Sequence, residues 1–235
     1  MVLENSFQLV SLEPEILREY DIRGIVDKNI NENTAYTIGR IFGYVVFSKL
    51  NSNNIAIGYD GRLTSPKLFN ALSNGLKDSG SSVVNIGMCP TPMLYFADYY
   101  LKTDAAIMIT GSHNPSEYNG FKMVLNKHSF FSDDIQNFQK IISNVNLEKK
   151  DGNIRNVEII NDYVERVLKN ISIKKKIKIS WDIGNGAMGV VIDKLISNLQ
   201  NTENILLNKE VDGKFPNHHP DPTVPNNMKQ LIKSV

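Results

Sequence analysis

Short apolar runs rich in branched residues alternate with segments of helical periodicity along this 235-residue chain. That alternation restricts the fold to layered α/β architectures. Ile38, Ile41, Phe42, Val45 and Val46 share one helical face between about residues 34 and 49. Ile55-Ala-Ile57 reads as a strand. Ser65-Pro66 offers a cap followed by proline at the first helical position, Leu68, Phe69, Leu72 and Leu76 form the buried stripe, and Gly80 supplies a stop. Ser82 to Ile86 and Ala105 to Ile109 read as further strands around a helix from Pro92 to about Leu101, which Pro90-Thr-Pro92 enters rigidly. Phe121 to Leu125 reads as a fourth strand, and Asp133 to about Asn144 as a helix burying Ile135, Phe138, Ile141 and Ile142. The expected fold class is α/β, a mixed sheet between helices.

The polar stretch Glu148-Lys-Lys-Asp-Gly-Asn-Ile-Arg155 contains a turn signal, which places a boundary there and divides the chain into residues 1–150 and 151–235. Beyond it, Ile159 to Leu168 keep helical spacing, and Ile177 to Ile183 read as a strand. A helix from about Ala187 to Leu199, a strand from Asn204 to Leu207 and a helix starting near Asn226 follow. Two strands are fewer than a sheet needs to stand alone, so the second domain reads as an incomplete fold of the same type.

A net charge of +1 offers no broad electrostatic footprint for nucleic acid or membrane. The single cysteine, Cys89, excludes an intrachain disulfide and fits a reducing compartment. Met1-Val-Leu-Glu-Asn-Ser6 lacks the basic start and apolar stretch of a signal peptide, and runs such as Ile41 to Phe47 are too short to span a bilayer. A soluble, cytoplasmic protein without nucleic-acid or membrane partners is expected.

The chemistry concentrates in Thr110-Gly-Ser-His-Asn-Pro115 and Tyr118-Asn-Gly-Phe-Lys122. This loop leaves the carboxyl end of the strand Ala105–Ile109, where open α/β sheets place ligands. Ser112 is a candidate nucleophile or phosphate carrier, and His113 could move its proton. Lys122 can neutralise a phosphate oxygen as a point charge. The plain alternative is a turn-forming serine after a strand. Arg18-Glu-Tyr-Asp-Ile-Arg-Gly24 supplies Arg23, a planar donor fork for phosphate or carboxylate, or else forms an ion-paired surface turn. Gly58-Tyr-Asp-Gly-Arg-Leu-Thr-Ser-Pro66 supplies Arg62, read either as an active-site residue or as a brace for a loop.

Taken together, the serine loop, the Arg18–Gly24 segment and the Gly58–Pro66 segment resemble, in order, the motifs of the α-D-phosphohexomutases, most nearly the bacterial phosphomannomutase/phosphoglucomutase branch. The resemblance runs from Arg18 to Pro225. It implies a phosphoryl shift between the 1 and 6 positions of a hexose through a hexose 1,6-bisphosphate. Ser112 would carry the phosphate and, through it, bind Mg²⁺. Arg23 and Lys122 would offset charge, His113 or a neighbour would handle the hydroxyl proton, and Tyr20, Arg62 and Asn114 would contact substrate. The family's Asp-Gly-Asp-x-Asp-Arg metal loop, its Glu-x-Ser-Gly sugar-selecting loop and its last phosphate-binding loop are absent from these 235 residues. The expectation is therefore an amino-terminal fragment, inactive alone or completed by a complementary carboxyl-terminal chain. A non-catalytic fragment that binds sugar phosphate or a partner is the alternative.

Gly184-Asn-Gly-Ala-Met-Gly189 also matches a dinucleotide-binding fingerprint, with Glu210 about 20 residues on. The same family carries a similar Asp-x-Gly-Asn-Gly-Ala turn, where the glycines serve turning and packing. His218 and His219, in a proline-rich segment with Asp221, could suggest metal, whereas the resemblance makes this a connecting loop. His128 reads as a surface residue.

Overall fold

A computed structural model of the chain describes residues 7–235. Met1–Ser6, from which the absence of a signal peptide was read, lie outside the described residues. The main sheet runs in the order β1 (Ile22–Ile25), β5 (Tyr118–Leu125), β4 (Ala105–Ile109), β2 (Asn54–Tyr59), β3 (Ser82–Met88) and β7 (Asn153–Asn156), with β6 (His128–Phe130) paired to β5. β4, β2, β3 and β7 are parallel, whereas β1, β5 and β6 are antiparallel, so the sheet is mixed.

Strand alternation divides the central strands between two cores. Ile55, Ile57, Ile107 and Ile109 point into one, together with residues of α1 (Glu32–Leu50), α2 (Ser65–Lys77) and α4 (Asp133–Asn144). Ala56, Ala106 and Met108 point into the other, with α3 (Thr91–Tyr100), α5 (Ile160–Leu168) and α6 (Gly189–Ser197). Strands buried on both faces have no polar side to show, which is why β2 and β4 read as short continuous apolar runs. The second core crosses the expected boundary: Met93 and Ala97 of α3 share it with Val164, Val191 and Ile192.

The second unit pairs β8 (Ile177–Asp182) with β9 (Thr202–Leu207) in parallel, and the helix expected near Asn226 begins as a 3₁₀ turn, Pro225–Met228, before α7 (Lys229–Ser234). Among the described residues no helix is long and apolar enough to cross a membrane.

Several local readings change. Ser65 is not the cap of α2: Thr64 holds that position without a side-chain cap bond, and the Ser65 hydroxyl instead donates to Asp60 Oδ1 at 2.6 Å. The polar stretch around Asp151 contributes β7, an edge strand whose four residues are all exposed and which therefore carries no apolar signal. β1 and β6 are likewise unannounced in the sequence. Both are short, and their pairing with β5 defines them.

Candidate functional site

β4 delivers the serine loop at its carboxyl end, beside the end of β2. Ser112 lies exposed, with a φ of 54°, in the left-handed region that few non-glycine residues occupy. Its N–H donates to Thr110 Oγ1 at 2.9 Å, and the Asn114 N–H donates to the Gly111 carbonyl at 3.1 Å. These bonds turn the chain tightly and leave Ser112 Oγ free apart from His113 Nδ1, 3.4 Å away. That distance is long for a hydrogen bond but suits a proton acceptor that tightens when substrate binds.

Arg62 organises the loop from beneath. Its side chain is 1% exposed, and all five donors are occupied. Nη2 donates to the carbonyls of Ser112 (2.9 Å) and Asn114 (2.7 Å), Nη1 to those of Pro115 (2.5 Å) and Tyr118 (3.1 Å), and Nε to Asp60 Oδ2 (3.2 Å). No donor is left for a substrate, so of its two expected roles the geometry supports bracing. Burial draws its pKa below the ordinary value and the Asp60 charge opposes that; a guanidinium remains charged regardless. Gly111 permits the approach, because a Cβ there would collide with the guanidinium. Asp60 is the second anchor: Oδ1 accepts the Arg62 N–H and the Ser65 hydroxyl, and Oδ2 accepts the Gly111 N–H at 3.2 Å.

Arg23 and Lys122 converge on one carboxylate that sequence reasoning left out. Asp21 accepts from Lys122 Nζ at 2.9 Å and from Arg23 Nη2, while Arg23 Nη1 donates to Asn114 Oδ1. Pairing of β1 with β5 brings them together, with Arg23 opposite Gly120 and two residues short of Lys122. Asp21 lies within the Arg18–Gly24 segment, and its signal was its place between Tyr20 and Arg23. Lys122 thus points to Asp21 rather than to Ser112 Oγ, and Asn114 is tied to Arg23. Tyr20 is 72% exposed.

A cleft of about 400 Å³ separates the serine loop from the second unit. Ser112, Thr110, Asp60 and Cys89 line one side, and Asp182, Gly184, Phe215 and His218 the other. Gly184-Asn-Gly-Ala-Met-Gly189 turns at this cleft: Gly184 has a φ of 57°, and a Cβ at Gly189 would strike the Lys209 carbonyl. Those glycines serve turning and packing here. His218 Nε2 lies 3.0 Å from Asp182 Oδ2 and Nδ1 2.9 Å from the His219 carbonyl, so both ring nitrogens are engaged within the protein. His219 and His128 are exposed. Among the described residues no group of three or more His, Cys, Asp or Glu side chains could hold a metal ion. Burial pushes the Cys89 thiol up to about 12, far from a reactive thiolate.

Along most of its length the chain is similar to known proteins. The family described as phosphoglucomutase/phosphomannomutase, alpha/beta/alpha domain I, matches residues 14–151, and its domain II matches residues 161–235. A phosphomannomutase/phosphoglucomutase of Pseudomonas syringae is 43% identical over 95% of this chain and 48% of its own length. A phosphoglucomutase of Neisseria gonorrhoeae is 41% identical over 97% of this chain and 49% of its own. The crystal structure of a phosphoglucomutase/phosphomannomutase family protein from Burkholderia thailandensis superposes with a TM-score of 0.89 at 37% identity, over 95% of this chain and 50% of that one. The chain spans about half the length of the curated relatives it matches. On the serine loop, its bracing and these matches, the chain belongs to the phosphoglucomutase/phosphomannomutase family.

Proposed function

We propose that this chain supplies the phosphate-carrying part of a phosphohexomutase that interconverts hexose 1-phosphate and hexose 6-phosphate. Ser112 Oγ attacks a phosphorus of hexose 1,6-bisphosphate, the bond from that phosphorus to the sugar oxygen breaks, and the serine proton passes by way of His113 to the departing oxygen. The reverse step hands the phosphate to the other end of a hexose monophosphate. Such transfers depend on positioning and charge neutralisation. The observation that carries this reading is an exposed serine held in a left-handed conformation over a cleft by a buried arginine.

Electrostatics support it. Arg23 and Lys122 share the single carboxylate of Asp21, so two positive charges against one leave the cluster with a net +1 beside the loop. An incoming phosphate can compete with Asp21 for both donors. Tyr20, exposed near this cluster, is assigned to sugar contact and Asn114 to holding the loop onto Arg23. Among the described residues, the Mg²⁺ implied by family resemblance would meet only the Ser112 phosphate. A hard cation needs several oxygen ligands, and the described residues do not converge into such a cage. The chemistry assigned here is therefore that of the chain's own side chains, with little mutase turnover in isolation and more when a complementary chain adds the remaining oxygens.

Intact-mass and peptide mass spectrometry after exposure to glucose 1,6-bisphosphate and Mg²⁺ tests the assignment. One phosphate on Ser112, abolished in Ser112→Ala, is expected. An unmodified Ser112 sinks the reading in favour of a non-catalytic binding fragment. Robust turnover by the pure chain overturns the claim that it lacks activity alone.

A further inference from the structure

The second unit reaches across the cleft to touch the arginine that braces the serine loop. Phe215 places its ring centroid 5.2 Å from Arg62 Cζ, against a guanidinium whose five donors all point elsewhere. An aromatic residue with a φ of 52° is uncommon, and the surrounding backbone over-determines it. The Phe215 N–H donates to the Asp212 carbonyl at 3.0 Å. Gly213 lies so close that a Cβ there would come within 2.8 Å of Arg62 Cα. Asn185 fixes the base of the segment: its Nδ2 donates to the Glu210 carbonyl at 2.8 Å, its carbonyl accepts the Asp212 N–H at 3.0 Å, and its Oδ1 accepts from Asn217 at 3.0 Å. His218, tied to Asp182, pins the far side.

We infer that Phe215 is a positioning residue for the Ser112 loop, acting through Arg62. The second unit sets the geometry of the phosphate carrier by seating an aromatic face on the guanidinium that holds the carbonyls of Ser112, Asn114, Pro115 and Tyr118. A cation over a ring is held more strongly where water is excluded. The catalytic meaning of this device rests on Ser112 being the phosphate carrier, whereas the contact and its effect on loop order do not.

Hydrogen exchange on the full chain, with and without Phe215→Leu, provides the test. Amides of residues 111–118 should exchange about tenfold faster in the variant, while those of β4 stay unchanged. Phe215→Tyr, which keeps the ring face, should restore parental exchange and parental phosphate uptake by Ser112 from glucose 1,6-bisphosphate. Gly213→Ala lifts the segment without removing the ring and should loosen the same amides, which decides the matter if Phe215→Leu fails to fold. Unchanged exchange at residues 111–118, equal acceleration in β4, or no rescue by tyrosine overturns the proposal. If the parent chain takes up no phosphate, the phosphoserine reading falls and the exchange data still judge Phe215.

Discussion

Arg62 shows how one buried side chain can fix the loop that carries an exposed one. The carbonyls of Ser112, Asn114 and Tyr118 would otherwise face the interior unpaired, at roughly 1–3 kcal/mol each; the guanidinium satisfies all three, adds a bond to the Pro115 carbonyl that the Tyr118 N–H already reaches, and has its charge compensated by Asp60. Lysine has fewer donors and no planar fork. Arg62→Lys should therefore lose about 2–4 kcal/mol in urea unfolding and should slow phosphate uptake by Ser112 more than the stability loss explains. Ser112, His113, Lys122 and Arg23 were legible as candidates because of their residue types. Asp21 was not, since a carboxylate beside an arginine in sequence also describes a surface ion pair. Only the registry of β1 against β5 adds Lys122 to it.

At the scale of elements, α1 and α2 cross so closely that glycine is required. A Cβ on Gly75 would collide with the Tyr36 carbonyl, and one on Gly39 would come within 2.5 Å of the Leu72 carbonyl oxygen and 2.9 Å of Leu76 N. In an isolated helix Gly→Ala gains about 1 kcal/mol. Here overpacking reverses the sign: Gly75→Ala should destabilise by about 1–3 kcal/mol, read from the urea midpoint. The same helix pair meets the segment before β7 through Asp78. Burial alone would raise the Asp78 pKa, but the Tyr36 hydroxyl, donating at 2.7 Å, and Lys149, 3.1 Å away, together hold it below the ordinary value. A depressed carboxylate stabilises the fold above its unfolded pKa, and that contribution is lost as pH falls through the folded one. Asp78→Asn should thus lower the melting temperature at neutral pH and flatten its decline below about pH 4; an unchanged acid limb contradicts this. Periodicity identified both helices, but it is blind to which glycines face a neighbouring backbone.

For the whole molecule, burial is uneven. β2 and β4 are buried on both faces, whereas no residue of β8 or β9 is fully buried. The second unit is joined to the first through the core shared by α3, α5 and α6. Amides of β8 and β9 should consequently exchange faster than those of β2 and β4, through opening below the global unfolding energy. Equal protection in the two sheets would mean that the chain unfolds as one cooperative body.

The succession of β2, β3, β4 and β5 with their helices, the layering of that sheet between helices and the position of the serine loop at the end of β4 were determined by the sequence alone, because hydrophobic period and residue chemistry are local properties. Tertiary structure decided the rest: the edge strands β1, β6 and β7, the conversion of Ser65 from a cap to a partner of Asp60, the capture of Lys122 by Asp21, and the seating of Phe215 on Arg62. Each of these depends on which backbone groups distant segments present to one another, and burial makes those pairings obligatory only once the layers have closed.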